Sequence, residues 1–131
     1  MRLLIDTDVL LDFAIGREPH FKAASELLDW AASHPGQCAV AWHSLANLHY
    51  LTRGGVVEFL GDLLQFVEIP GTGTHEMRYA LELGFSDLED AMQVSAAMLF
   101  GSQVIVTRNG KHYRRSPIKA LSPAEILPLL D

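Results

Sequence analysis

The sequence predicts an α/β fold built on a parallel sheet, on three observations. Short, almost wholly apolar runs ("RLLI", "QCAVAW", "VIVT") lack the polar alternation of a half-exposed strand, so they read as strands covered on both faces. Longer stretches with helical apolar spacing separate them. The turn signals "HPG", Gly54-Gly55 and "PGTGT" fall between the runs rather than inside them. With 131 residues and 49% hydrophobic content, the chain is expected to form one domain over 1–131 with a sizeable core.

"RLLID" is the first strand, ending in Asp6, and "VLLDF" continues as a turn of helix. From Glu18 to Ser33, Phe21, Ala24, Leu27, Leu28 and Ala31 recur at helical spacing until "HPG" stops the helix. "QCAVAW" is a second strand, feeding a helix through "SLANLHYLT"; after the glycine pair, "VVEFLGDLLQF" is another. "VEIP" is a third short strand, and a helix over 75–83 ends at Gly84. The next helix begins in "GFSDLED", "SQVIVT" is a fourth strand and "IKAL" a fifth. In "SPAEILPLL", Ser122 as N-cap, Pro123 at the first helical position and Glu125 three residues after the cap make a helix start.

No apolar run approaches the ~20 residues of a membrane span, and the N-terminus carries acids where a signal peptide is apolar. The single cysteine, Cys38, excludes an internal disulfide and points to a reducing cytoplasm; within "QCAVAW" it reads as a small buried hydrophobe. A net charge of −6 argues against a surface that binds nucleic acid everywhere. The basic residues are unevenly placed, however: residues 108–119, "RNGKHYRRSPIK", hold five of the ten Lys and Arg and no acid, a basic lip suited to a phosphate-bearing ligand or else a solvated loop.

Ligand sites of open parallel sheets lie beyond the carboxyl ends of the strands. Asp6 closes the first strand, as a site residue or as a helix cap, a role also open to Asp8. In "SDLED", Ser86 and Glu89 have capping-box spacing, and Asp87 sits in the first turn, where the helix dipole favours an acid. Asp90 is different. It begins a row through Val94 and Ala97 on a helix that is apolar almost all round, where a carboxylate needs hydrogen bonds, a cation or a metal. Two carboxylates at one sheet end without His or Cys beside them suit a hard cation, Mg²⁺ or Mn²⁺ rather than zinc. Such an ion activates water for attack on a phosphodiester. Thr107, Arg108 and Asn109 close the fourth strand, with the basic lip behind them. Tyr113, beside Arg114 and Arg115, either stacks on a base or packs under the loop.

In this order, "LLIDTDVLLD", "SDLEDAMQVSAA" and "VIVTRN…SPIKALSPAEIL" resemble a PIN domain, and "GREPHFKAASELL" and "WHSLANLHYL" resemble segments of one PIN subgroup. The resemblance spans essentially the whole chain. It implies a three-layer α/β/α sandwich and a Mg²⁺- or Mn²⁺-dependent ribonuclease, often the toxin of a toxin–antitoxin pair in the VapC manner and often a homodimer. By position, Asp6 matches the family's first acid, Asp90 its third, and Thr107 a hydroxyl residue that orders the site. The chain departs at the second acid, where Asn47 stands, and at the fourth, where Asn109 follows "TR"; His112 fills a nearby position that is often acidic. An asparagine offers a metal an oxygen but no charge, so Asp8, Asp87 and Glu89 are candidates to compensate. The expectation is that Asp6 and Asp90 hold the ion, that Asn47, Thr107 and Asn109 complete the site, and that Arg108, Lys111, Arg114 and Arg115 hold phosphates of the RNA. The two asparagines also fit a second reading, a PIN-like binding module without catalysis. A third, a haloacid-dehalogenase-type phosphatase, is disfavoured by Leu10 where that motif wants Thr or Val and by the absence of lysine between residues 54 and 110.

Overall fold

The computed structural model describes residues 1–131. In chain order the elements are β1 (Leu3–Ile5), α1 (Thr7–Ala14), α2 (Phe21–Ser33), β2 (Cys38–Ala39), α3 (Trp42–Leu51), α4 (Val57–Leu63), β3 (Val67–Glu68), α5 (Thr74–Glu82), α6 (Leu88–Phe100), β4 (Val104–Val106), β5 (Lys119–Leu121) and α7 (Pro123–Ile126). Two 3-10 turns, Gly110–Tyr113 and Leu127–Leu129, complete the chain. The five strands form one parallel sheet in the order β3-β2-β1-β4-β5. β1 is central because it is buried throughout, with Leu3, Leu4 and Ile5 fully enclosed.

The period of two along β1 divides the core into two layers. Leu3 and Ile5 join Val9, Leu10, Leu27, Leu48 and Leu63 on one face, with side chains from α1 to α4. Leu4 joins Ala39, Val94, Ala97, Ile105 and Tyr113 on the other, under α6. α5 packs on α6 at the outside of this second layer. Helices therefore cover both faces, and the chain is an α/β/α sandwich. No helix is long and apolar enough to cross a membrane.

The strands are shorter than their apolar runs, because apolarity reports burial rather than ladder hydrogen bonding. In "QCAVAW" only Cys38 and Ala39 are strand; Val40 and Ala41 are buried, but Ala41 is already the N-cap residue of α3. The capping box of α7 forms as the spacing requires, with Glu125 N–H donating to Ser122 Oγ (3.1 Å) and Ser122 N–H to Glu125 Oε1 (2.9 Å). The start of α6 differs from expectation. Asp87, not Ser86, is the N-cap; its extended backbone aims Oδ1 at the Glu89 N–H, 2.9 Å away. Glu89 consequently does not reach back to Ser86 but accepts from Asn47 Nδ2 (3.2 Å). α6 ends at Gly101, whose φ of 78° is left-handed and suits a residue without Cβ.

Candidate active site

The strand order reverses direction at β1. The chain runs outward through β2 and β3, then crosses back to β4 on the other side of β1, which makes the carboxyl ends of β1 and β4 the switch point where open α/β sheets place ligands. Ile5 is in register with Val106, so Asp6 and Thr107 leave the sheet side by side. Asp6 is 7% exposed, and four donors converge on it. Its Oδ1 accepts from Thr7 N–H (2.7 Å), which starts α1, and from Gln93 Nε2 (3.1 Å). Its Oδ2 accepts from the hydroxyls of Thr107 (2.9 Å) and Tyr113 (2.9 Å). Gln93 is fixed in this orientation by a second bond to Ser44 Oγ (2.6 Å).

Asp8, two residues on, faces the end of β4. Its Oδ2 accepts from Arg108 N–H (3.0 Å) and Asn109 Nδ2 (3.1 Å), while its Oδ1 is buried without a donor. Burial first, and the Asp6 charge second, push the Asp8 carboxyl up to about 6, against some relief from Arg108. Asp90 enters from α6 and meets Asp6 through Tyr113, whose hydroxyl lies 3.2 Å from Asp90 Oδ1. Burial, followed by the charges of Asp87 and Asp6, raises the Asp90 pKa; Tyr113 and His112 oppose the rise. His112 Nδ1 stands 3.3 Å from Asp90 Oδ2, near enough for charge attraction but off the line of a hydrogen bond, so that oxygen too is buried without a donor. Burial, followed by the charges of Asp6 and Asp90, holds the Tyr113 phenol far above its ordinary range, so it is a proton donor at any working pH.

Asp6, Asp8, Asp90, Gln93 and His112 line one cleft of about 430 Å³, together with Asn47, Tyr50, Asp87, Glu89 and Asn109, while Thr107 and Tyr113 lie beneath its wall. Three buried acceptor oxygens in that lining lack any donor: Asp8 Oδ1, Asp90 Oδ2 and Gln93 Oε1. Buried oxygens left unpaired are costly, and an all-oxygen set of this kind is the donor chemistry of Mg²⁺ or Mn²⁺. No group of three His, Cys, Asp or Glu side chains is placed to hold an ion by itself. The two facts agree for Mg²⁺, which usually keeps several waters and takes only one or two carboxylates from the protein. The residues therefore fit a hydrated hard cation, and not a closed protein cage.

Residues 2–111 match the PIN domain family. The chain belongs to it. Among solved structures, a toxin-antitoxin complex from Klebsiella pneumoniae is similar in fold, with a TM-score of 0.69, 20% sequence identity, and coverage of 92% of this chain and 97% of that one. No curated protein matches the sequence.

Within this PIN domain the expected site residues divide into three groups. Asp6, Asp8, Asp90, Thr107 and Asn109 are joined by hydrogen bonds at the switch point. Asn47, Asp87 and Glu89 line the cleft but stand further out: Asp87 caps α6, and Asn47 spends its amide on Glu89. Lys111, Arg114 and Arg115 line an adjoining pocket of about 410 Å³ that shares Asp87, Asp90 and His112 with the acidic cleft. Arg115 is tied there to the Gly84 carbonyl (3.0 Å).

Arg108 departs from the expectation that it faces a phosphate. Its guanidinium forks onto Asp12, at 2.5 and 3.1 Å, because Asp12 is only 1% exposed and its charge needs a partner. Of the two roles open to Tyr113, the structure gives packing under the loop rather than base stacking, since it is 3% exposed with its ring edge against Phe85. Gln93, Ser44 and Asp12 were missing from the expected set. Gln93 and Asp12 each interrupt an apolar run ("AMQVSAAMLF", "VLLDF"), which is the signal that marks them.

Proposed function

We propose that this PIN domain is a Mg²⁺- or Mn²⁺-dependent endoribonuclease, that residues 1–131 act as one unit, and that it is the cytoplasmic toxin of a toxin–antitoxin pair. The observation carrying the reading is the meeting of Asp6 and Asp90, 84 positions apart in sequence, at one hydroxyl beside three donorless oxygens. Asp6 and Asp90 would hold the ion, partly through water, with Asp8 Oδ1 and Gln93 Oε1 as further donorless oxygens at its edge. When bound, the ion lowers the pKa of a water and offsets charge on the phosphodiester during in-line displacement.

The protein's own residues would do the rest. Thr107, Gln93 and the Thr7 N–H fix the Asp6 carboxylate so that it does not rotate between states. Asn109 and the Arg108 N–H do the same for Asp8. Exposed Lys111 and Arg114 stand beside the acidic cleft, where they would neutralise the phosphates flanking the scissile one. Their position on one side only makes RNA approach across the boundary between the two pockets. Tyr50, 81% exposed at the far wall of the acidic cleft, offers a base a stacking surface.

The antitoxin is suggested by the similar solved complex and a homodimer by the family; either would cover apolar side chains left exposed on α3, α5 and α6, among them Trp42, Leu81 and Met98. Metal-dependent cleavage of RNA, lost in Asp6→Asn and Asp90→Asn variants that remain folded, tests the reading. A non-catalytic binding module is the second reading, favoured by Asn47 and Asn109, which turn their amides toward Glu89 and Asp8. Tight antitoxin binding without RNA cleavage would decide for it.

A further inference from the structure

A carboxylate has about four acceptor positions on its two oxygens, and in Asp6 all four are taken, by Thr7 N–H, Gln93, Thr107 and Tyr113. A cation that reaches Asp6 must therefore displace one donor. Three of the four are held from elsewhere. Thr7 N–H belongs to the first residue of α1. Thr107 is anchored by its own N–H to the Leu121 carbonyl (2.9 Å). Gln93 is bracketed between Asp6 and Ser44. Tyr113 is on a four-residue 3-10 turn, and although its ring is buried in the second core layer, its hydroxyl bonds to nothing but the two carboxylates. Its single proton is shared by Asp6 Oδ2 and Asp90 Oδ1, the two carboxylates assigned to the ion.

We propose that the Tyr113 hydroxyl is a latch that competes with the divalent cation for Asp6 and Asp90. This rests on the metal site of the proposed function and adds to it a positioning residue that sets how tightly the ion is held. With the latch closed, the phenol draws the two carboxylates together and offsets their repulsion. With the ion in place, the hydroxyl withdraws from at least one of them while the ring stays packed on Phe85. The site thus takes its cation weakly, and any contact that pulls the 110–113 turn outward, such as RNA phosphates on Lys111, favours loading.

The test is Mn²⁺ binding by electron paramagnetic resonance, without RNA, on wild type, Tyr113→Phe, and Asp90→Asn in both backgrounds. Phenylalanine keeps the ring and removes the competing proton. The variant should bind Mn²⁺ about tenfold tighter, the low end of what a hydrogen bond to a charged group is worth, and Asp90→Asn should abolish binding in both. A merely structural role for the hydroxyl predicts looser binding, not tighter. Binding that depends on Asp90 but is equal or weaker in Tyr113→Phe would overturn the latch and leave the nuclease reading standing. No Mn²⁺ binding to either protein would overturn the latch together with the metal site beneath it. A second measurement needs no variant at position 113: Mg²⁺ titrated into wild type should change the near-ultraviolet tyrosine absorption, an effect absent from Asp90→Asn. Ion binding with no such change would also refute the latch.

Discussion

Replacing Asp8 by Asn should change stability in opposite directions at the two ends of the pH range. Folded Asp8 keeps its proton to about pH 6, because burial and Asp6 oppose its charge, whereas the unfolded chain releases it near 3.8. Between those values the folded state binds more protons, so this group's stabilising share is complete at the acid end and is lost as pH rises through 6. A rise of about two units corresponds to about 3 kcal/mol for ionising Asp8 in the fold. The substitution removes that charge, while its carbonyl oxygen still accepts from the Arg108 N–H and Asn109. Its new amide group replaces Asp8 Oδ1, which has no donor and offers no acceptor for the new protons, a cost of about 1 kcal/mol. The variant should thus be about 2 kcal/mol more stable than wild type at about pH 8 and about 0.5 kcal/mol less stable at about pH 4, where the unfolded group is already half ionised. Urea denaturation of both proteins in EDTA across that range reads the difference directly, since other carboxylates titrate in both and cancel. A difference that stays flat with pH would refute the claim that Asp8 is a charge held against its environment.

Arg108→Ala should cost about 3 kcal/mol or more by urea denaturation, because it strands the 1%-exposed Asp12 carboxylate; Arg17, 3.7 Å away, only partly replaces it. Arg108→Lys should recover only part of the loss, since an ammonium cannot fork onto both oxygens. Lys111→Ala with Arg114→Ala should leave stability within about 0.5 kcal/mol, as both are exposed, yet weaken RNA binding and lower the slope of log affinity against log salt by about one to two. Unchanged salt dependence in filter binding would remove the basic pocket from the RNA path.

The sheet was legible because strands covered on both faces leave an unbroken apolar signature, and β1, β4 and the capping box of α7 are local features. Strand length was not, since Val40 and Ala41 are as apolar as Cys38 and Ala39 and only the chain's turn into α3 separates them. Ser86 and Asp87 are both good caps at adjacent positions, and spacing alone does not say which backbone will be extended. Side-chain pairing was least legible. Tyr113 meets Asp6 across 107 positions and Gln93 meets it across 87, distances over which sequence pattern carries no geometry. Arg108 illustrates the same limit: within "RNGKHYRR" it is one basic residue among several, and only the tertiary fold hands it to Asp12, 96 positions earlier.

The most direct test of the nuclease assignment is cleavage of single-stranded RNA by antitoxin-free protein with Mn²⁺ or Mg²⁺, against EDTA and the Asp6→Asn and Asp90→Asn variants, each confirmed folded by circular dichroism. Cleavage should need the ion and fall by about a hundredfold in either variant, as the ion loses a ligand. Cleavage that persists in both variants, or in EDTA, would contradict that assignment.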